Sequence, residues 1–280
     1  MKLAYGSDYK YIPTTSLNSG KGEEVAPDVF VYTIQIVNIV LVGQKGLKDF
    51  VLIDAGMPKS SEKIIEVIEE RFGEGAAPKA IILTHGHFDH VGAVVDLVEK
   101  WQVPVYAHAL EFPYLTGKQA YPTPDTSVEG GLVSKMSTIF PIQPIQLGSH
   151  VQALPADGTI PALPEFRWLP TPGHSVGHIS LFRERDRLLI VGDAFITVKQ
   201  EYMYKVYTQE KEMSGPPRYL TPDWEAAKKS VEQLAALNPE IAVVGHGVTM
   251  QGEELRQDLK NLLANFGTQA IPAYGKYVSE

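Results

Sequence analysis

Residues 84–90 read Thr-His-Gly-His-Phe-Asp-His, directly after the apolar run Ala80-Ile81-Ile82-Leu83. A short apolar run of that kind is a buried strand, so three imidazoles and a carboxylate crowd into the loop at its end. Neutral imidazole and carboxylate are the groups that zinc, iron or manganese accept where sulfur is absent, and the chain has no cysteine. The same lack excludes a disulfide framework, a thiolate metal site and a cysteine nucleophile. Any scaffold for this loop must therefore present strand ends to a metal through nitrogen and oxygen alone.

Three more positions have the same setting, just after a strand-like run and beside glycine: His174 in Thr171-Pro172-Gly173-His174, Asp193 in Val191-Gly192-Asp193-Ala194, and His246 in Gly245-His246-Gly247. Glycine lets the backbone turn sharply and brings a short ligand to the rim of a sheet. Four strand ends are expected on one edge. Asp54, closing Ile53-Asp54-Ala55-Gly56, has the position of a carboxylate that orients a metal-bound histidine from behind.

In this order the motifs resemble the metallo-β-lactamase-fold hydrolase superfamily, over roughly residues 30–250. The resemblance implies an α/β fold, an αββα sandwich of two mixed β-sheets flanked by helices, with the site at the sheets' edge. It implies that His85, His87 and His174 hold one metal, that Asp89, His90 and His246 hold a second, and that Asp193 bridges both. Two divalent metal ions follow as cofactors, zinc first, with manganese or iron as alternatives. Asp89 is also the catalytic candidate, as a carrier of a proton to the leaving group. Paired cations draw the pKa of a shared water from 15.7 toward neutrality, so hydroxide held between them is the expected nucleophile. The expected reaction is hydrolysis of a small ester, lactone or thioester. The alternatives are a mononuclear iron persulfide dioxygenase on the same fold and, third, a phosphodiesterase.

The likeness stops short of the substrate, and substrate-binding residues stay unknown. Acyl-homoserine lactonases of this type commonly carry tyrosine three positions after the bridging aspartate, where this chain has Ile196. No basic glutathione-binding segment of the glyoxalase II kind is evident near the C-terminus. True β-lactamases do not combine histidine at 87 with aspartate at 89, and a flavodiiron oxygen reductase would show glutamate in place of His87.

Along the rest of the chain, Phe30 to Val42 and Asp49 to Asp54 read as β-rich runs joined by the hairpin link Gly43-Gln44-Lys45-Gly46. Helices are expected over Lys59 to Phe72 (Ile64, Ile65, Ile68 and Phe72 on one face), Val91 to Trp101, from Asp223 onward, and over Glu253 to Phe266. Further strands are expected at Val103 to Ala107, Arg167 to Leu169, His178 to Phe182, Leu188 to Val191 and Ile241 to Val244. Residues 112–144 and 197–220 break into prolines, glycines and polar groups, as lids or insertions in a single domain spanning 1–280. Tyr202, Tyr204 and Tyr207 are read as packing residues, with pocket lining as the alternative. His178 is read as a buried hydrogen-bonded residue, and His108 and His150 as surface or structural ones.

Twenty-five Lys and Arg against 33 Asp and Glu give a net charge of −8, which repels phosphate backbones, so nucleic acid is excluded as a partner and a small molecule is expected. The polar N-terminal stretch lacks the apolar core of a signal peptide, and the longest apolar run, Val31 to Val42, is too short to cross a bilayer. A cytoplasmic protein without a membrane partner is expected. Aromatic residues such as Phe112, Tyr114, Tyr202 and Tyr204 leave a homodimer open.

Overall fold

The computed structural model describes residues 2–129 and 131–278; Met1, Gly130, Ser279 and Glu280, which fall within the expected domain 1–280 and, for Gly130, within segment 112–144, lie outside the described residues. The chain forms two compact units, one from Met1–Thr14, Ser19–Tyr121 and Pro141–Pro164, the other from Thr15–Asn18, Pro122–Phe140 and Glu165–Glu280.

The first unit is built on a seven-stranded mixed sheet whose spatial order follows the chain: β1 (Gly22–Ala26), β2 (Val29–Ile34), β3 (Val37–Val42), β4 (Val51–Ile53), β5 (Ile81–Ile82), β6 (Val105–Ala107) and β7 (Val151–Ala153). The strands from β1 to β4 pair antiparallel and those from β4 to β7 parallel, with helix α1 (Ser61–Phe72) crossing from β4 to β5 and α2 (Val94–Trp101) from β5 to β6. Parallel neighbours need such crossovers, and their side chains are covered on both faces, which suits the wholly apolar, buried β4 and β5. Helix α1 buries Ile64, Val67, Ile68 and Phe72, with Phe72 stacked on Phe50 at 3.8 Å. Ile65, expected on that face, is only half-buried, because the stripe runs through Val67. The short helix α3 (Phe112–Leu115) follows a 3-10 turn at Ala109–Glu111.

A hairpin and a helix start differ from the sequence reading in this unit. The run Phe30 to Val42 is itself a hairpin: β2 and β3 pair over its length and turn at Gln35-Ile36, with Gln35 at φ 59°. No Gly or Pro announces that turn; the Gln35 amide secures it by donating to the Ile12 carbonyl at 2.8 Å. Helix α2 begins at Val94 rather than Val91, because the peptide N–H groups of His90 and Val91 both turn back onto the His87 carbonyl.

The second unit carries a five-stranded sheet in the order β12-β11-β10-β9-β8, from β8 (Arg167–Pro170), β9 (Ile179–Arg183), β10 (Leu188–Gly192), β11 (Ile241–Val244) and β12 (Met250–Gln251). Only β10 and β11 are parallel. Its helices are α4 (Leu132–Met136), α5 (Met203–Thr208), α6 (Trp224–Ala236), α7 (Gly252–Ala264) and α8 (Phe266–Gln269). Asp223 caps α6 by accepting from the Ala226 N–H at 2.9 Å. Trp224, Ala227, Val231 and Leu234 of α6 join Leu255, Leu259 and Leu262 of α7 with Leu189, Val191, Ala242 and Val244 of the sheet in one apolar core. The last expected helix stops at Ala264, and Phe266, though still buried in that core, belongs to α8. No helix among the described residues is long and apolar enough to cross a membrane.

Candidate metal centre

In the first unit, the parallel pairing of β4 with β5 sets Ile53 against Ile82, so the residues that follow each strand leave the sheet side by side. Those residues are Asp54 and the histidine loop. Asp54 is buried in the left-handed region at φ 59°. Its carboxylate accepts from the Thr84 N–H at 2.8 Å, the Thr84 hydroxyl at 2.8 Å and His90 Nδ1 at 2.7 Å. Holding an aspartate in that backbone region costs energy, which three hydrogen bonds to one buried carboxylate offset.

These bonds fix two tautomers. A carboxylate only accepts, so His90 donates from Nδ1 and its Nε2 carries the lone pair. The Thr84 hydrogen is already given to Asp54, so the 3.1 Å contact between Thr84 Oγ1 and His85 Nδ1 must run from the ring, and His85 also presents Nε2 as a lone pair. Prospective ligand atoms of His85 and His87, of His85 and His90, and of Asp89 and His90 lie within 4.8 Å of each other. All four side chains are buried.

In the second unit the candidate ligands come from three separate strand ends. The β10–β11 register reaches Gly192 opposite Val244, and the Gly245 N–H donates to the Gly192 carbonyl at 2.8 Å, so Asp193 and His246 emerge together. His174 reaches them from the turn after β8. Gly173 there has φ 132°, and a Cβ on it would stand 2.4 Å from the Ala227 N, so only glycine fits against the start of α6. Asp193 Oδ2 lies 3.4 Å from His174 Nε2 and 3.3 Å from His246 Nε2. Thr221 gives its hydroxyl hydrogen to the Pro217 carbonyl at 2.8 Å and stands 3.1 Å from His174 Nδ1, so the ring donates there and Nε2 again carries the lone pair. A buried lone pair thus faces a buried carboxylate oxygen, an arrangement that repels unless a cation stands between them. That donor set fits a divalent metal of nitrogen and oxygen preference.

Asp193 is also held from its backbone. Its N–H donates to His178 Nε2 at 2.8 Å, so His178 carries its proton on Nδ1, 2.8 Å from Thr171 Oγ1. Thr171 in turn stands 3.0 Å from Ser180 Oγ, which donates to the Val191 carbonyl at 2.7 Å. The chain of donors has one consistent direction and leaves His178 neutral.

Of the residues singled out in sequence, His85, His87, Asp89, His90 and Asp54 meet in the first unit, and His174, Asp193 and His246 in the second. His178 is the buried hydrogen-bonded residue described above. His108 is half-buried and its Nδ1 accepts from the Leu110 N–H at 3.3 Å. Packing is not the role of the three tyrosines, for Tyr202, Tyr204 and Tyr207 are 42%, 71% and 48% exposed. Tyr114, open in sequence to a partner's face, is instead buried and stacked on Tyr121 at 3.9 Å. Glu111, Tyr121 and Thr221 escaped the sequence reading, because none lies in a patterned motif and each reaches the histidines through a contact distant along the chain.

Comparison with known proteins gives a consistent picture. A sequence model of the metallo-beta-lactamase superfamily matches residues 32–246. The chain is 51% identical over 253 residues, 90% of its own length and 96% of the other's, to the probable metallo-hydrolase YflN of Bacillus subtilis (strain 168). It is 26% identical over 214 residues, 75% of its length and 86% of the other's, to the hydroxyacylglutathione hydrolase GloC of Haemophilus influenzae. Among solved structures, the BLEG-1 B3 metallo-beta-lactamase superposes with a TM-score of 0.55 at 24% identity, covering 85% of this chain and 97% of that one, which establishes the likeness of fold.

Proposed function

The chain belongs to the metallo-β-lactamase superfamily, and from that premise we propose that it is a dinuclear metal-dependent hydrolase of small esters, lactones or thioesters. The observation that carries the proposal is the lone pair of His174 Nε2 facing Asp193 Oδ2 at 3.4 Å, with His246 Nε2 at 3.3 Å from the same oxygen. Hydrolysis is also what the relatives' names describe, a probable metallo-hydrolase for YflN and a hydroxyacylglutathione hydrolase, acting on a thioester, for GloC.

In this reading His85, His87 and His174 bind one divalent ion, Asp89, His90 and His246 bind the second, and Asp193 serves both. Zinc suits the set first, with manganese or iron as the other candidates. Two such ions lower the pKa of a shared water toward neutrality and polarise a substrate carbonyl. Asp54 and Thr84 hold His90 and His85 with Nε2 forward, and Thr221 does the same for His174. Asp89 moves a proton to the departing oxygen or sulfur. The net charge of −8 disfavours polyanionic substrates and favours small acyl compounds.

Elemental mass spectrometry of freshly purified protein should give close to two divalent ions per chain, and a panel of lactones, esters and thioesters should reveal hydrolysis. His87→Ala and Asp193→Ala are expected to lose metal and hydrolysis together. Full activity in either variant, or a single iron with oxygen consumption on a persulfide, would overturn the proposal.

A further inference from the structure

Gly86 separates His85 from His87, and its peptide N–H points at neither. It donates to Glu111 Oε2 at 3.0 Å and to the Tyr121 hydroxyl at 2.9 Å. Tyr121 gives its own hydrogen to the same Glu111 oxygen, so carboxylate, phenol and peptide form a closed triangle. Glu111 is fully buried and ends the 3-10 turn after β6, while Tyr121 lies at the close of the irregular stretch that begins with α3. Burial and the neighbouring Glu111 push the Tyr121 phenol well above its usual range, which keeps it a hydrogen donor.

Two further features aim the triangle at the histidines. The Tyr121 ring is stacked on Tyr114 at 3.9 Å and lies 4.4 Å from the His87 imidazole at 51°. A Cβ on Gly86 would come 2.7 Å from the Tyr121 oxygen and 3.3 Å from Glu111 Oε2, so the loop fits the triangle only with glycine between its two histidines. The backbone of this stretch is tied down independently, by the Tyr121 N–H donating to the Ile142 carbonyl and the Leu147 N–H to the Leu115 carbonyl, both at 2.9 Å.

We propose that Glu111 and Tyr121 are positioning residues for the metal centre: they clamp the Gly86 peptide and the His87 ring, and so set the angle at which His85 and His87 meet the first ion. The proposal rests on the metal-centre reading above. Neither residue belongs to the side-chain groups placed to hold an ion. Asp54 controls the outer nitrogens of the loop's rings, whereas this pair controls the peptide between them, so the two supports act on different degrees of freedom.

The test is zinc affinity, measured on metal-stripped protein by competition with a chromophoric chelator, with the melting temperature of the stripped protein recorded alongside. Outer supports of ligands typically hold 10–100-fold in metal affinity, and a loss on the order of tenfold or more is expected for Glu111→Leu. Tyr121→Phe keeps the ring against His87 and removes the hydroxyl, so a smaller loss is expected. Glu111→Gln should restore affinity to within about threefold of wild type, because its amide oxygen still accepts from peptide and phenol. The cobalt-substituted Tyr121→Phe protein should show an altered visible ligand-field spectrum. If Glu111→Leu does not fold, Tyr121→Phe and Glu111→Gln decide the matter. Wild-type zinc affinity and cobalt spectrum in Tyr121→Phe, or a fall in melting temperature with affinity unchanged, would overturn the brace alone. Wild-type protein that binds no zinc would overturn the metal-centre reading, and the brace with it.

Discussion

The two units supply the candidate metal-ligand side chains in opposite ways. The first places four of them within residues 85–90, on one loop after one strand, and braces them with buried carboxylates, Asp54 behind the rings and Glu111 behind the peptide. The second collects three from three strand ends and steadies them with neutral groups, the hydroxyls of Thr221 and Thr171 and the imidazole of His178. A charged acceptor makes the stronger hydrogen bond and raises the basicity of the ring it holds. The second unit gains its precision instead from strand register, since the β10–β11 pairing already brings Asp193 and His246 together. Local crowding with charged props and distant convergence with neutral ones are thus two solutions to one problem.

The contrast breaks most directly at Asp54. In Asp54→Asn one oxygen becomes an NH₂ group, and where that group faces His90 it can no longer accept the Nδ1 hydrogen. His90 should then move its proton to Nε2 and lose the lone pair it would offer a metal. Zinc affinity is expected to fall roughly 10–100-fold, with stoichiometry moving from two ions toward one. Nitrogen NMR of the imidazoles checks the tautomer and elemental analysis the count. Two tightly held ions in Asp54→Asn would show that the charged prop is dispensable.

Thr221→Val asks the same question of the neutral prop. It nearly preserves side-chain volume, removes the acceptor for His174 Nδ1 and leaves the Pro217 carbonyl without that hydroxyl. A neutral hydrogen bond contributes about 1 kcal/mol, so a loss of roughly fivefold in zinc affinity is expected, well below the Asp54 effect. An equal or larger loss in the same chelator competition would reverse the ranking of the two units.

The same contrast explains what was readable in the sequence. The histidine loop was legible because its candidate ligands are neighbours in the chain, and each solitary candidate because glycine flanks it at a strand end. The two mixed sheets flanked by helices followed from those motifs through the family resemblance. Glu111 and Tyr121 were not legible, because their hydrogen bonds to Gly86 join residues far apart in sequence and a single buried glutamate carries no periodic signal. The turn at Gln35 was missed for a related reason: a side-chain amide, not glycine or proline, satisfies the carbonyl that fixes it.

Each unit also buries a glutamate, and these two should part company in the smallest effect. Glu111 accepts from the histidine loop itself, whereas Glu201 accepts from the Arg218 N–H at 2.9 Å, on the peptide whose Pro217 carbonyl takes the Thr221 hydroxyl. Burial raises the Glu201 carboxyl above its ordinary 4.5, against a weaker pull downward from the Arg218 N–H and charge. The folded chain then binds its proton more tightly than the unfolded chain, so this group's stabilising contribution is complete below pH 4.5 and declines as pH rises through the raised value. Glu201→Gln mimics the protonated acid and retains an acceptor for Arg218. It should flatten the fall in stability between the ordinary glutamate range and neutrality, measured by urea unfolding across that interval, while zinc affinity stays at the wild-type value. A lowered zinc affinity in Glu201→Gln would mean that the second unit, too, steadies its ligands with a buried carboxylate, and the division between charged and neutral props would fail.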